Sequence, residues 1–119
     1  MSEPDGDRDW RPYVQDMVEF GERVATYVEG LDQQAFMADQ RTYDATLRNI
    51  ELLGEAATHV PGYVRDAHPE IAWRQIIGTR NRLAHGYLGI DDDVIWDIIR
   101  TDIPGLLDAL RRLLKDELA

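Results

Sequence analysis

The chain has 119 residues, 13 basic and 23 acidic side chains, a formal net charge of −10 and no cysteine. That length fits one domain able to bury roughly two-thirds of its unfolded surface, and the missing cysteine excludes a disulfide framework, a thiolate metal site and a cysteine nucleophile. The acidic balance argues against non-specific coating of nucleic acid, which needs dispersed positive charge. No apolar run approaches the roughly 18 residues that would cross a bilayer, and the acidic, polar N-terminus is unlike a signal peptide. A cytoplasmic chain with no membrane contact is expected.

Residues 1–9, rich in Asp, Glu, Gly and Pro, read as a disordered acidic arm, which leaves 10–119 as the folded domain. From Trp10 a helical period appears in Val14, Met17, Val18, Gly21, Val24 and Val28, and Gly30 ends it. Asp32 can cap a short turn through Ala35-Phe36-Met37. A second long helix, with Asp39 as cap, carries Tyr43, Leu47, Ile50, Leu53, Ala57 and Val60 on one stripe, and Pro61-Gly62 closes it. A short segment at Tyr63–Ala67 leads to Pro69, which suits the first turn of a third long helix. That helix carries Ile71, Trp73, Ile76, Ile77, Leu83 and Ala84 and stops at Gly86. Asp91-Asp92-Asp93 caps a last helix with Val94, Ile95, Ile98 and Ile99 on its apolar face. Pro104 should break or kink it before Leu106, Leu107, Leu110, Leu113 and Leu114 continue the stripe. No segment alternates with a period of two, so the expected architecture is all-α: an up-and-down bundle of four main helices plus short helical segments.

Charge is uneven along this frame. Between Glu70 and Ile90 three arginines face one glutamate, a net +2, which leaves −12 on the rest of the chain; Arg111, Arg112 and Lys115 form a second small basic cluster. The basic stretch contains Arg80-Asn81-Arg82-Leu83-Ala84-His85-Gly86-Tyr87, two guanidiniums and an imidazole at a helix end. Asn81 and His85 are four apart and share a helical face, so Asn81 can orient the ring. Arg80 and His85 are five apart, about 140° round a regular helix. They cannot form a tight pair there unless the last turn is distorted or a second chain completes the site, as a two-fold axis would allow.

These groups suit metal-free RNA cleavage. His85 can move a proton near neutral pH, and Arg80 can hold the charge that develops on phosphorus. A plainer reading has both residues capping the helix and pairing with the Asp cluster. Plain readings also fit the other candidates: His59 and His68 as helix-end residues, Glu51 and Glu55 as a solvated or Arg-paired face rather than metal ligands, and Trp10, Trp73 and Trp96 as core or dimer contacts. Gly54 and Gly78, both inside helices, point to close helix packing.

The run from Ile71 to Tyr87 resembles the signature of the HepT-like HEPN family, whose pattern of Arg, four residues, His, one residue, Tyr is met by Arg80, His85 and Tyr87, with Asn81 after the Arg. Arg48-Asn49-Ile50-Glu51-Leu52-Leu53-Gly54-Glu55-Ala56-Ala57 is similar to the family's other well-marked helix, and the likeness extends from about Tyr13 to Leu114. The resemblance implies a HEPN-like bundle that forms a homodimer, with the two motif helices meeting in a cleft. It implies a metal-independent endoribonuclease of a toxin–antitoxin system, with Arg80 and His85 catalytic, Asn81 and Arg82 supporting, and no cofactor. RNA, tRNA or mRNA, would be the substrate. The partner would be an MNT-type minimal nucleotidyltransferase antitoxin that silences the toxin by transferring AMP to the motif tyrosine, here Tyr87. The alternative is a non-catalytic nucleotide-binding or adaptor bundle that only docks such a partner. The acidic body favours that alternative, and the intact Arg80/His85 pair favours the enzyme.

Overall fold

The computed structural model describes residues 9–85 and 89–118. They form helices throughout, with no strand among the described residues: α1 (Arg11–Val28), α2 (Gln33–Ala38), α3 (Gln40–Ala57), α4 (Gly62–Ala67), α5 (Trp73–Ala84), α6 (Asp92–Asp97), a π-helical turn (Ile98–Asp102) and α7 (Ile103–Leu118). The four-helix bundle is therefore met by α1, α3, α5 and the α6–α7 pair. α3 sits centrally, with α1 along one side and α5 along the other, and α7 closes on α1.

Local chemistry sets most boundaries. Gly30, at φ +78°, takes the left-handed conformation that ends the first helix cheaply for a residue without Cβ. Asp32, Asp39 and Asp91 cap α2, α3 and α6, their carboxylates accepting from the backbone N–H groups of Ala35, Thr42 and Asp93. The apolar stripes converge on one core in which Val14, Met17, Val24, Phe36, Leu47, Leu110 and Leu113 are essentially sealed. Each such large side chain stabilises the fold by about 1.5–3 kcal/mol. Trp10 and Trp73 are core residues too, and Trp96 lies tilted on Phe36 at 5.4 Å between ring centroids.

Several expectations need correction. Pro69 does not open the third long helix, which starts at Trp73. The carbonyl of His68 accepts from both the Ile71 amide (3.2 Å) and the Trp73 indole (3.1 Å), which holds residues 68–71 as a turn and seats Ile71 in the core ahead of the helix. Val60 is buried but lies beyond the end of α3. Ala84 and Val94 are exposed and contribute nothing to the core. Pro104 does not break the last helix. A proline has no N–H to give the carbonyl four residues back. The chain takes one residue more into the preceding turn, with the Ile103 amide donating to Ile98, and stays helical through Ile103.

Of the expected acidic arm, only Asp9 lies among the described residues. Its carboxylate accepts from the amide (3.1 Å) and guanidinium (3.0 Å) of Arg11. No described helix is long and apolar enough to cross a membrane.

Candidate active site

α5 delivers the motif arginine to α3. The two helices approach closely because residue 54 is glycine: a Cβ there would overlap the Cβ of Arg80 and stand 3.1 Å from the Ile76 carbonyl oxygen. The neighbouring Glu55 accepts through Oε1 from Nη2 of Arg80, and the guanidinium's other terminal nitrogen, Nη1, donates to Asn81 Oδ1 at 2.8 Å. Arg80 is thus pinned from two sides while about a third of its side chain stays open to solvent. The second Glu55 oxygen lies 3.6 Å from His59 Nε2, and the His59 ring stacks on Tyr13 of α1 at 4.7 Å and 20°. A row of side chains, Tyr13–His59–Glu55–Arg80–Asn81, from α1, α3 with the turn that follows it, and α5, therefore runs across this end of the bundle.

His85 is the cap residue at the C-terminal end of α5. Its amide donates to the Arg82 carbonyl at 3.3 Å and its backbone sits at φ −91°, ψ 3°, in the bridge region between helix and strand. The last turn is therefore tightened, yet Arg80 and His85 share no hydrogen bond, and among the described residues the His85 ring has no partner. His85 is exposed and sits at the C-terminal, negative end of the helix dipole. Contrary to expectation, Asn81 makes no hydrogen bond to the His85 ring among the described residues; its carboxamide oxygen instead accepts from the neighbouring Arg80 guanidinium. Arg82 donates to the Gly89 carbonyl at 3.0 Å and so ties the end of α5 to the start of the next segment. Tyr87, the expected AMP acceptor, and Gly86, the expected helix stop, lie outside the described residues.

The plainer pairing is corrected as well. Arg80 goes to Glu55, not to the Asp cluster, in which Asp91 caps α6 and Asp93 accepts from Gln33 at 2.6 Å. Glu51 pairs with Arg48 at 3.4 Å, and no group of three or more potential metal ligands occurs among the described residues. His68, the C-terminal cap of α4, stands between Glu70 and Glu117 at 3.5 Å from each. Arg111 is neutralised by Glu22 of α1 at 2.7 Å, so the second basic cluster is partly spent on packing. Gly78 is not a close-packing residue: a Cβ there would meet open space. Cavities of about 300 and 490 Å³ lie between α5 and the segments that follow it, and neither is lined by Arg80 or His85.

Residues 17–113, which include this tethered arginine and exposed histidine, match the family model described as "Ribonuclease HepT-like". The chain belongs to the HepT-like ribonuclease family. It is 32% identical to the "Probable ribonuclease HepT" of Thermococcus cleftensis, covering 91% of this chain and 98% of that protein. It is 31% identical to a "Putative RNase" of Caldanaerobacter subterraneus subsp. tengcongensis over 90% of this chain and 96% of the relative. A further "Putative RNase", from Methanocaldococcus jannaschii, is 27% identical over 92% of this chain and 90% of its own length. No solved structure gives a significant match.

Sequence reasoning preferred a solvated or Arg-paired face for Glu55 over a metal ligand, and the Arg pairing is met, but it did not name Arg80 as the partner. A glycine inside a helix pointed toward close packing at Gly54, but the same signal stands at Gly78, where nothing crosses, so it could not by itself name the partner of Glu55.

Proposed function

We propose that this HepT-like chain is a metal-independent endoribonuclease and the toxin of a toxin–antitoxin pair. The observation that carries the reading is the contrast at the end of α5: Arg80 is held in place, and His85 stands exposed without a partner among the described residues. In the proposed reaction a ribose 2′-oxygen attacks the adjacent phosphorus and gives up its proton to His85. The bond from phosphorus to the 5′-oxygen breaks, and that oxygen leaves with a proton from the imidazolium or from water. The products are a 2′,3′-cyclic phosphate and a 5′-hydroxyl. Arg80 supplies fixed positive charge to the phosphorane oxygens. Arg80 and His85 do not meet in one chain, which supports a two-fold dimer whose cleft takes groups from both motif helices.

The test is cleavage of RNA by the purified, unmodified protein in EDTA. Arg80→Ala and His85→Ala should each lower kcat by about 100-fold or more, with circular dichroism showing an intact bundle. Activity that survives both substitutions, or that requires Mg²⁺, overturns the mechanism. An active monomer at micromolar concentration in sedimentation overturns the shared cleft.

Silencing is proposed at Tyr87, with an MNT-type nucleotidyltransferase as the donor of AMP. An adenylate adds bulk and a phosphodiester with about one negative charge, two residues along the chain from His85 and five from Arg82. Tyr87→Phe should retain cleavage and escape silencing, as read by peptide mass spectrometry and by toxicity during co-expression with the partner. A Tyr87→Phe protein still silenced by AMP transfer removes Tyr87 from that role.

A further inference from the structure

Glu55 serves two cations with one carboxylate. Oε1 takes Nη2 of Arg80, and Oε2 faces His59 Nε2 at 3.6 Å. The pair stands at a close crossing of α3 and α5, where a Cβ on Gly54, one residue away, would overlap the Cβ of Arg80. His59 is itself set by Tyr13, whose ring stacks on it from α1. The groups that face the imidazole are therefore Glu55 on its own side, Tyr13 from α1 and, through the shared carboxylate, Arg80 from α5.

We propose that Glu55 and His59 are positioning residues for Arg80: the carboxylate fixes the guanidinium, and the imidazole's charge sets how tightly it does so. The proposal rests on the reading that Arg80 meets RNA phosphate. A guanidinium has five donors, and Glu55 and Asn81 engage one on each terminal nitrogen, which leaves the others for substrate. With His59 neutral, Arg80 and Glu55 sum to zero. With His59 charged, the trio carries +1, the carboxylate is divided between two cations, and Arg80 turns a less neutralised charge toward an incoming phosphodiester. Imidazoles charge between about pH 5 and 8, so substrate affinity should rise on acidification for a reason separate from proton transfer at His85. Roughly half of the Glu55 and His59 side chains is exposed, so both are open to solvent and to substrate.

The experiment measures kcat and KM separately for an RNA oligonucleotide that the wild-type protein cleaves, from about pH 5.5 to 8. Glu55→Gln keeps an acceptor and loses the charge. It should lower kcat about tenfold, through lost orientation, without raising KM. His59→Phe keeps a ring for Tyr13 and cannot take up a proton, so the fall of KM toward acid pH expected of the wild type should disappear. A Glu55→Gln protein with wild-type kcat and KM at every pH overturns the role of Glu55, and an unchanged KM profile in His59→Phe overturns that of His59. Should Glu55→Gln melt early, Glu55→Asp keeps the charge with a shorter reach; lowered kcat upholds the proposal and wild-type kcat rejects it. Arg80→Ala separates the two levels. Full activity in Arg80→Ala removes the catalytic reading, whereas an inactive Arg80→Ala beside an unaltered Glu55→Gln removes only the positioning proposal.

Discussion

Toward α3, helix α5 is locked: Arg80 lies against Gly54, is paired with Glu55 and takes its second acceptor from Asn81. On its opposite side the same helix faces an open concavity bordered by Arg65, Arg74, Ile77 and Gly78, where a side chain added at Gly78 would touch nothing. Both sides carry arginines and both carry a mid-helix glycine, so composition alone cannot tell them apart. The difference is in partners: Arg80 is held by Glu55 and Asn81, whereas Arg74 is exposed. A charge whose geometry is fixed by a second helix can act on one atom of a substrate, whereas a charge on a free stem contributes mainly to the local field.

The largest effect that could break this contrast is on activity. Arg80→Ala should reduce RNA cleavage by about 100- to 1,000-fold, the range for loss of one preorganised group on a developing oxyanion. Arg74→Ala, on the exposed side of the same helix, should change cleavage only severalfold and mostly through KM. Equal losses in initial-rate measurements would mean that tethering is not what distinguishes the two arginines.

Next in size is the effect on stability. Gly54→Ala forces a methyl into the Arg80 Cβ and toward the Ile76 carbonyl, and overpacking of this kind destabilises by about 1–3 kcal/mol. Gly78→Ala places the same methyl in open space within a helix, where replacing glycine stabilises by about 0.5–1 kcal/mol. Thermal denaturation of the two variants should therefore move in opposite directions. A fall in Tm for Gly78→Ala would reveal something packed on the outer side of α5.

These two glycines also show where sequence reading reaches and where it stops. Caps at Asp32, Asp39 and Asp91 and the stop at Gly30 were legible because each depends on a few consecutive residues. The helical stripes were legible because periodicity reports one buried side. Gly54 and Gly78 look alike in sequence, yet only Gly54 lies at a crossing, which is a property of two helices together. The same holds for Asn81, whose spacing from His85 suits a contact, while its oxygen accepts from the adjacent Arg80. Pro69 met the local rule for a helix start, but a core position for Ile71 and two donors on the His68 carbonyl held the chain in a turn. Pro104 was expected to interrupt the helix, and a single π turn absorbs it. The Arg80 and His85 positions were legible as a motif; the carboxylate that tethers one of them was not assigned, because it comes from 25 residues upstream.

The smallest effect concerns the groove beyond α5, where Asp102 of the π turn receives a hydrogen bond from Gln75 at 3.5 Å. Partial burial, with the neighbouring Asp97 carboxylate as a second cause, holds the Asp102 carboxyl above the usual aspartate range. A folded-state value raised above the unfolded one means that the folded chain binds this proton more tightly. Ionising Asp102 therefore costs stability, a penalty absent below the ordinary carboxylate range and complete once pH exceeds the raised value. Asp39 has the opposite sign. The backbone N–H and hydroxyl of Thr42 hold its carboxyl below the usual range, so its contribution is present at neutral pH and lost as pH falls through the lowered value. Asp102→Asn keeps an acceptor for Gln75 and removes the charge, so it should raise Tm slightly at neutral pH and leave it unchanged near pH 3, where the wild-type group is already protonated in both states. Asp39→Asn should do the reverse, with a lower Tm at neutral pH and a shrinking difference in acid. Parallel melting curves across that pH range check both signs, and a lower Tm for Asp102→Asn at neutral pH would show that the groove holds this carboxylate favourably.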